Sequence, residues 1–193
     1  MGEILSLQET VTNRPIDIVD VGCATGEAIA GLATAFTHPI HIDLLDINEE
    51  GLEKAAARTE LQGIATTVLG SAWRLQEVLA KAYEIDIPNT RNSKDLLIIS
   101  HSLTHAITVA TKYEGLPIEK AITYIHSFLE QALAITRVGG KLLFRQSEMF
   151  SLFVCTSQNG IKRWLLFNTS VVDEVEGLFI WNTEADSVTV TEI

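Results

Sequence analysis

The stretch IDIVDVGCATGEAIAGLA (residues 16–33) constrains the chain more than any other. It opens as a short apolar run, the pattern of a strand buried on both faces, and closes as an Ala-rich helix pattern. Gly22 and Gly26 stand between the two. Without side chains there, the backbone can turn sharply and its N–H groups can approach a ligand closely. In a doubly wound sheet, ligands sit beyond the carboxyl ends of the strands, where the first strand feeds the first helix. This segment is that place.

Further apolar runs follow at 40–46 (IHIDLLD), 64–69 (IATTVL), 95–100 (DLLIIS) and 141–146 (KLLFRQ). Helix patterns alternate with them at 26–36, 48–61, 72–83 and 117–136, the last opened by Pro117 and stopped by Gly139 and Gly140. Gly31 reads as a small residue that lets the first helix lie close on the sheet. The alternation predicts an α/β fold with a doubly wound, mostly parallel sheet and right-handed crossovers. After residue 148 the rhythm changes, and Gln158-Asn159-Gly160 lies between two β-prone runs. Antiparallel strands at the C-terminal edge of the sheet are expected, with a short helix over 148–156 as the alternative. No repeat or linker interrupts the chain, so one domain is expected over 1–193, with its core at 16–148 and a β-rich part at 149–193.

Composition narrows the partners. With 47% hydrophobic and 20% charged residues among 193, the chain can bury a sizeable core and is no disordered acidic tail, despite a net charge of -11. Fourteen basic residues against twenty-five acidic ones argue against nucleic acid. No run of eighteen apolar residues suggests a membrane span, and no basic-then-apolar leader opens the sequence, so a cytoplasmic location is expected. Cys23 and Cys155 share no Cys-x-x-Cys spacing, so neither a disulfide framework nor a thiolate metal site is indicated.

The turn itself excludes one ligand class. A dinucleotide needs Gly-x-Gly-x-x-Gly, so that pyrophosphate meets bare backbone at the helix start. Here the second and third positions are Ala24 and Glu27, and a carboxylate on the first turn opposes phosphate. A ligand carrying an ammonium and a sulfonium meets no such conflict.

DVGCATG (20–26) resembles motif I of the class I S-adenosylmethionine-dependent methyltransferases, in which an acid precedes a glycine-rich loop. Ala24 departs from the usual central glycine, and its methyl is tolerable there if the residue has negative φ. The resemblance continues through Asp46, twenty residues after Gly26, at the place of the family's ribose-binding acid. LGSAW (69–73) matches the turn against adenine, with Ser71 in place of the frequent acid. DLLIISHSLTH (95–105) and RVGGKLLF (137–144) match the fourth strand with its substrate-facing segment and the turn into the fifth. The family implies a Rossmann-like fold and S-adenosylmethionine as cofactor. It implies cofactor contacts at Asp20, Gly22, Cys23, Ala24, Gly26, Asp46, Ile47, Ser71, Ala72 and Ser100. Cys23 reads equally well as a small buried filler behind the loop.

His101 and His105 follow the fourth strand at a spacing zinc could use, but no third ligand accompanies them, so no metal is assigned. His101 is the candidate general base, with hydrogen bonding or packing as the other reading. Residues 100–117 are expected to line the acceptor pocket. The acceptor expected is a small molecule, less readily a protein, and a homodimer is expected through the β-rich edge. The competing reading is a methyltransferase-like binding or scaffold protein without turnover.

Overall fold

In the computed structural model, residues 13–100, 118–146, 152–158, 161–167, 177–182 and 187–192 are described. Five strands alternate with helices: β1 (Ile16–Val21), α1 (Glu27–Ala33), β2 (Ile40–Asp46), α2 (Glu49–Ala56), β3 (Ala65–Leu69), α3 (Leu75–Ala82), β4 (Lys94–Ser100), α4 (Ile118–Ile135) and β5 (Thr136–Gln146). Four more strands follow: β6 (Leu152–Gln158), β7 (Ile161–Phe167), β8 (Gly177–Asn182) and β9 (Ser187–Glu192).

The main sheet has the order β3-β2-β1-β4-β5-β8-β9. Its first five strands are parallel, while β8 pairs antiparallel with β5 and β9 antiparallel with β8. This is the expected Rossmann-like sheet with antiparallel strands at the C-terminal edge. The chain winds outward from β1 to β3, then returns to β4 on β1's other side, so the order reverses between β1 and β4. The carboxyl end of β1 is therefore a topological switch point.

The central strands β1, β2 and β4 bury side chains on both faces, which is why these runs are apolar rather than alternating. On one face Ile16, Ile18, Ile42, Leu44, Leu96 and Ile98 pack with Ile29 and Ala30 of α1 and Leu52 and Ala55 of α2. On the other, Val19, Val21, Leu45, Val68, Leu97 and Ile99 pack with Leu75 and Leu79 of α3 and with Phe128, Ala132 and Ile135 of α4.

Several expectations change in detail. The pattern over 48–61 breaks into α2 and a 3-10 turn at Thr59–Leu61, and α3 is preceded by another at Ala72–Arg74. Gly139 and Gly140 do not stop a helix; they lie inside β5, which begins directly after α4. Lys94 pairs with Thr136 but Leu96 with Lys141, so β5 bulges between them. A Cβ on Gly140 would stand 2.9 Å from the Asp95 and Arg137 carbonyl oxygens, so the bulge requires glycine there. Gly31 packs against nothing: a Cβ there meets no atom within 4 Å, which overturns its reading as a close-packing residue. Residues 152–158 form a strand, which decides against helix for most of 148–156.

β6 and β7 form a separate two-stranded antiparallel sheet. They lie in the connection from β5 to β8, and since Gln146 pairs with Gly177, that connection leaves and returns at the carboxyl end of the parallel strands.

The opposite end is tied by charge. Asp95 of β4 accepts the Arg14 guanidinium through both carboxylate oxygens, the Asp17 backbone N–H at 2.9 Å and Arg137 Nη1 at 2.8 Å. Beside it, Lys94 pairs with the buried Asp43, which also receives the Tyr83 hydroxyl.

Candidate functional site

The site is built on the turn from β1 into α1. Gly22 and Gly26 have φ of 74° and 71°, the left-handed region that glycine enters freely. Ala24 has φ of 49°, so the condition of negative φ for its methyl is not met. The loop holds alanine in a conformation that costs an L-residue about 1–2 kcal/mol.

What compensates is visible in the hydrogen bonds. The N–H groups of Gly22 and Cys23 both donate to the Leu45 carbonyl, at 2.7 and 3.2 Å, stitching the loop to the end of β2. The Asp46 carboxylate then accepts the Ala24 N–H through Oδ2 at 2.9 Å and the Asn48 N–H through Oδ1 at 2.8 Å. One acid thus clamps the loops after β1 and β2 together, and each of its oxygens keeps further acceptor capacity.

The first turn of α2 braces the loop from behind. Asn48 caps α2 by accepting the Gly51 N–H at 3.2 Å. A Cβ on Gly51 would lie 3.0 Å from the Ala24 carbonyl oxygen, and one on Gly26 would lie 2.9 Å from Ala55 Cβ. Sequence reasoning missed Asn48 and Gly51. An Asn at the first position of the helix pattern was the available signal for the cap.

Asp20 is buried at 1% exposure, and its Oδ1 has no hydrogen-bond partner. Burial, reinforced by the charge of Asp46, pushes its carboxyl up to about 7. Cys23 is buried within the α1/α2-side core, and burial, with Asp20 and Asp46 adding to it, drives its thiol far above the usual thiol range. Its side chain is a core filler that stays protonated, so it is no nucleophile.

Ile47, next to Asp46, is 75% exposed, an unusual state for a β-branched aliphatic side chain at the end of a buried strand. The Gly70 N–H donates to the Asp46 carbonyl at 2.9 Å, bringing the turn after β3 alongside. Ser71 Oγ accepts the Trp73 N–H at 3.3 Å, and Ala72 follows it in the 3-10 turn. Trp73 packs on Tyr124 and Phe128 of α4, with ring centroids 5.9 and 6.2 Å away, so it belongs to the core. Gln131 of α4 fixes this turn by donating to the Trp73 carbonyl at 3.0 Å.

Glu27 is exposed on the first turn of α1 and paired with Arg58 at 3.0 Å, while Arg58 Nε also donates to the Thr25 carbonyl at 2.6 Å. That partner softens the repulsion expected between Glu27 and a phosphate. The case against a dinucleotide rests more on the absence of glycine at 24 and 27. Ser100 ends β4, the strand beside β1, but its side chain, His101, His105 and the rest of 101–117 lie outside the described residues. Among the described residues, no group of three or more His, Cys, Asp or Glu is placed to hold a metal, and no helix is long and apolar enough to cross a membrane.

Five parallel strands in this order, with a left-handed glycine loop at the switch point and an acid closing the next strand, define a Rossmann-like α/β fold of the methyltransferase kind. The chain belongs to the ubiE/COQ5 methyltransferase family, whose model matches residues 5–113. No curated protein matches it significantly.

Similar solved structures include a candidate sarcosine dimethylglycine methyltransferase from Galdieria sulphuraria. It is 14% identical, with a TM-score of 0.51 over 77% of this chain and 45% of that one. A possible exported protein from Bordetella parapertussis is 22% identical, with a TM-score of 0.50 over 77% and 41%. Phosphoethanolamine N-methyltransferase 1 of Haemonchus contortus, in complex with phosphoethanolamine and S-adenosylhomocysteine, is 22% identical, with a TM-score of 0.49 over 76% and 25%. At these identities the likeness is one of fold. The chain spans between a quarter and about half of the length of the first structures it matches.

Proposed function

We propose that this chain, as a single domain, is an S-adenosylmethionine-dependent methyltransferase acting on a small molecule. The observation that carries the reading is the Asp46 clamp: a carboxylate at the end of β2 that organises the left-handed loop and keeps acceptor capacity beyond its two backbone donors. Two vicinal ribose hydroxyls are the groups such a carboxylate would hold, with charge-assisted hydrogen bonds. Ile47 would give the purine an exposed apolar platform, with Ser71 and Ala72 at its edge. Gly22, Cys23, Ala24 and Gly26 would offer backbone to the amino-acid end, and Ser100 would close it from β4. Asp20 would supply a negative charge for the ammonium.

When bound, the cofactor supplies an electrophilic methyl group on a sulfonium. The chain's own work is to align donor and acceptor and to exclude water, so proximity and orientation carry most of the rate. The acceptor would arrive at the carboxyl end of the strands, between residues 101–117 and the connection carrying β6 and β7. His101 is the candidate base in that position.

Calorimetry with S-adenosylmethionine, S-adenosylhomocysteine and NAD side by side tests the reading. The two sulfur compounds are expected to bind and NAD is not; tighter binding of NAD than of S-adenosylhomocysteine overturns it. Binding without turnover on any small-molecule acceptor would favour the scaffold reading instead.

A further inference from the structure

A strand at the edge of a sheet exposes a row of backbone N–H and C=O groups, and soluble proteins blunt such rows with charge, proline, a bulge or a cover. β3 ends the parallel half of the sheet, and among the described residues no strand pairs with its outer side. Its register with β2 runs unbroken from Ala65 to Leu69, so no bulge turns it away. Neither proline nor a charged residue occurs from Leu61 to Trp73, in a chain where 20% of residues are charged. Thr66, Thr67 and Leu69 are exposed.

The ladder fixes which backbone groups point outward. The Ile42 N–H donates to the Ile64 carbonyl at 2.8 Å, and the Gly70 N–H to the Asp46 carbonyl at 2.9 Å. Successive residues of a strand direct these groups to opposite sides, so residues 64, 66, 68 and 70 face β2. Ala65, Thr67 and Leu69 then turn their N–H and C=O groups away from the sheet. Such a row is complementary to itself. When two copies meet antiparallel, Thr67 lies opposite Thr67 and Ala65 opposite Leu69, and each outward N–H finds a C=O of the other copy. The Thr–Thr pair at the two-fold axis is itself a favourable cross-strand neighbour.

Charge selects the same register. Glu60 and Arg74, both exposed, bound the uncharged stretch, seven residues before Thr67 and seven after it. A two-fold axis at Thr67 therefore brings the acidic end of one copy's stretch to the basic end of the other's. The contact of Arg74 within its own chain, to Glu77 at 3.5 Å, is exposed and leaves the guanidinium further donors. The opposite edge is less suited. Residues 177–193, which carry β8 and β9, hold Glu184, Asp186 and Glu192 and no Lys or Arg. Two copies, each with a net charge of -11, would meet there acid on acid.

We propose that the chain forms a two-fold dimer through antiparallel pairing of β3 with β3 of a second copy, in register about Thr67. The main sheet then runs on from one copy into the other, and the dimer forms at β3 rather than at the β-rich edge expected from the sequence. The inference does not depend on what the glycine loop binds.

Sedimentation velocity of the full chain from about 1 to about 100 μM reads the mass, and amide hydrogen exchange over the same range reads the place. The expected result is a monomer–dimer equilibrium in which the Ala65, Thr67 and Leu69 amides slow as the dimer fills. The Thr66 and Val68 amides, which face β2, should be protected at every concentration. Thr67→Lys sets two ammonium groups opposite each other at the axis and should raise the dimer's Kd by about tenfold or more. Glu60→Arg should weaken the dimer roughly three- to tenfold, and adding Arg74→Glu should restore it. A monomer throughout, or a dimer in which the Ala65, Thr67 and Leu69 amides stay fast, overturns the proposal. So does a dimer that survives Thr67→Lys and dissolves in Thr189→Lys of β9, which puts the interface at the other edge. The exchange comparison on the wild-type chain decides the matter even if a variant does not fold.

Discussion

Ala24 is the residue whose conformation and identity disagree most, with φ of 49° in a loop whose other left-handed positions are glycine. Ala24→Gly relieves that strain but frees the unfolded chain, so the net gain is expected to be about 0.5–1 kcal/mol, read by urea unfolding. Ala24→Val should lose stability and cofactor binding together, because β-branched side chains tolerate this region least. Asp46→Ala removes the acceptor of two backbone N–H groups as well as the proposed ribose partner. It should weaken S-adenosylhomocysteine binding by about 1.5–3 kcal/mol and lower stability by about 1–2 kcal/mol; unchanged affinity would move the ribose site elsewhere. For Asp20, the folded carboxyl sits at about 7 against 3.8 for the free group. Its contribution to stability is therefore fully present below the lower value and lost as pH rises towards about 7. Asp20→Asn should flatten that slope and unfold at higher denaturant than wild type above pH 7.

At the scale of elements, two helical glycines make opposite predictions. Gly31 in α1 faces open space at negative φ, so Gly31→Ala should stabilise by up to about 1 kcal/mol, the difference in helix propensity. Gly51 in α2 faces the Ala24 carbonyl, where a Cβ would approach to 3.0 Å. The same propensity gain there should be offset by displacement of the loop, and calorimetry should show weaker S-adenosylhomocysteine binding for Gly51→Ala. Equal behaviour of the two variants would mean that α2 does not brace the loop.

Over the whole molecule, the two ends of the parallel sheet use charge differently. At the amino end the buried acids among the described residues have cations: Asp95 holds Arg14 and Arg137, and Asp43 holds Lys94. Burial alone would raise the Asp95 carboxyl, but the Arg14 hydrogen bonds, the Asp17 N–H and Arg137 together bring it below the usual carboxylate range. Its stabilisation is present above the unfolded carboxyl's value and lost as pH falls through the folded one. Asp95→Ala should cost about 1–3 kcal/mol near neutral pH, a figure reduced because Arg14 is 40% exposed, and the deficit should shrink below about pH 4. At the carboxyl end, no cation among the described residues pairs with Asp20 or Asp46. Ion pairs anchor one pole, and at the other Asp20 and Asp46 stand beside the glycine loop.

The sequence by itself determined the order of strands and helices, the parallel sheet, the glycine turn and the acid at 46, because each is local: a short apolar run, a residue without a side chain, an acid where a run ends. Asp43 stands inside the run IHIDLLD, and nothing local named Lys94 or Tyr83 as its partners. Helix ends and the bulge in β5 were not legible, since they depend on what approaches from elsewhere, as the Asp95 carbonyl does at Gly140. The openness around Gly31, the left-handed φ of Ala24 and the lack of a partner for Asp20 were likewise decided by packing. Sequence records which groups a chain carries; only the folded chain decides which of them water can no longer reach.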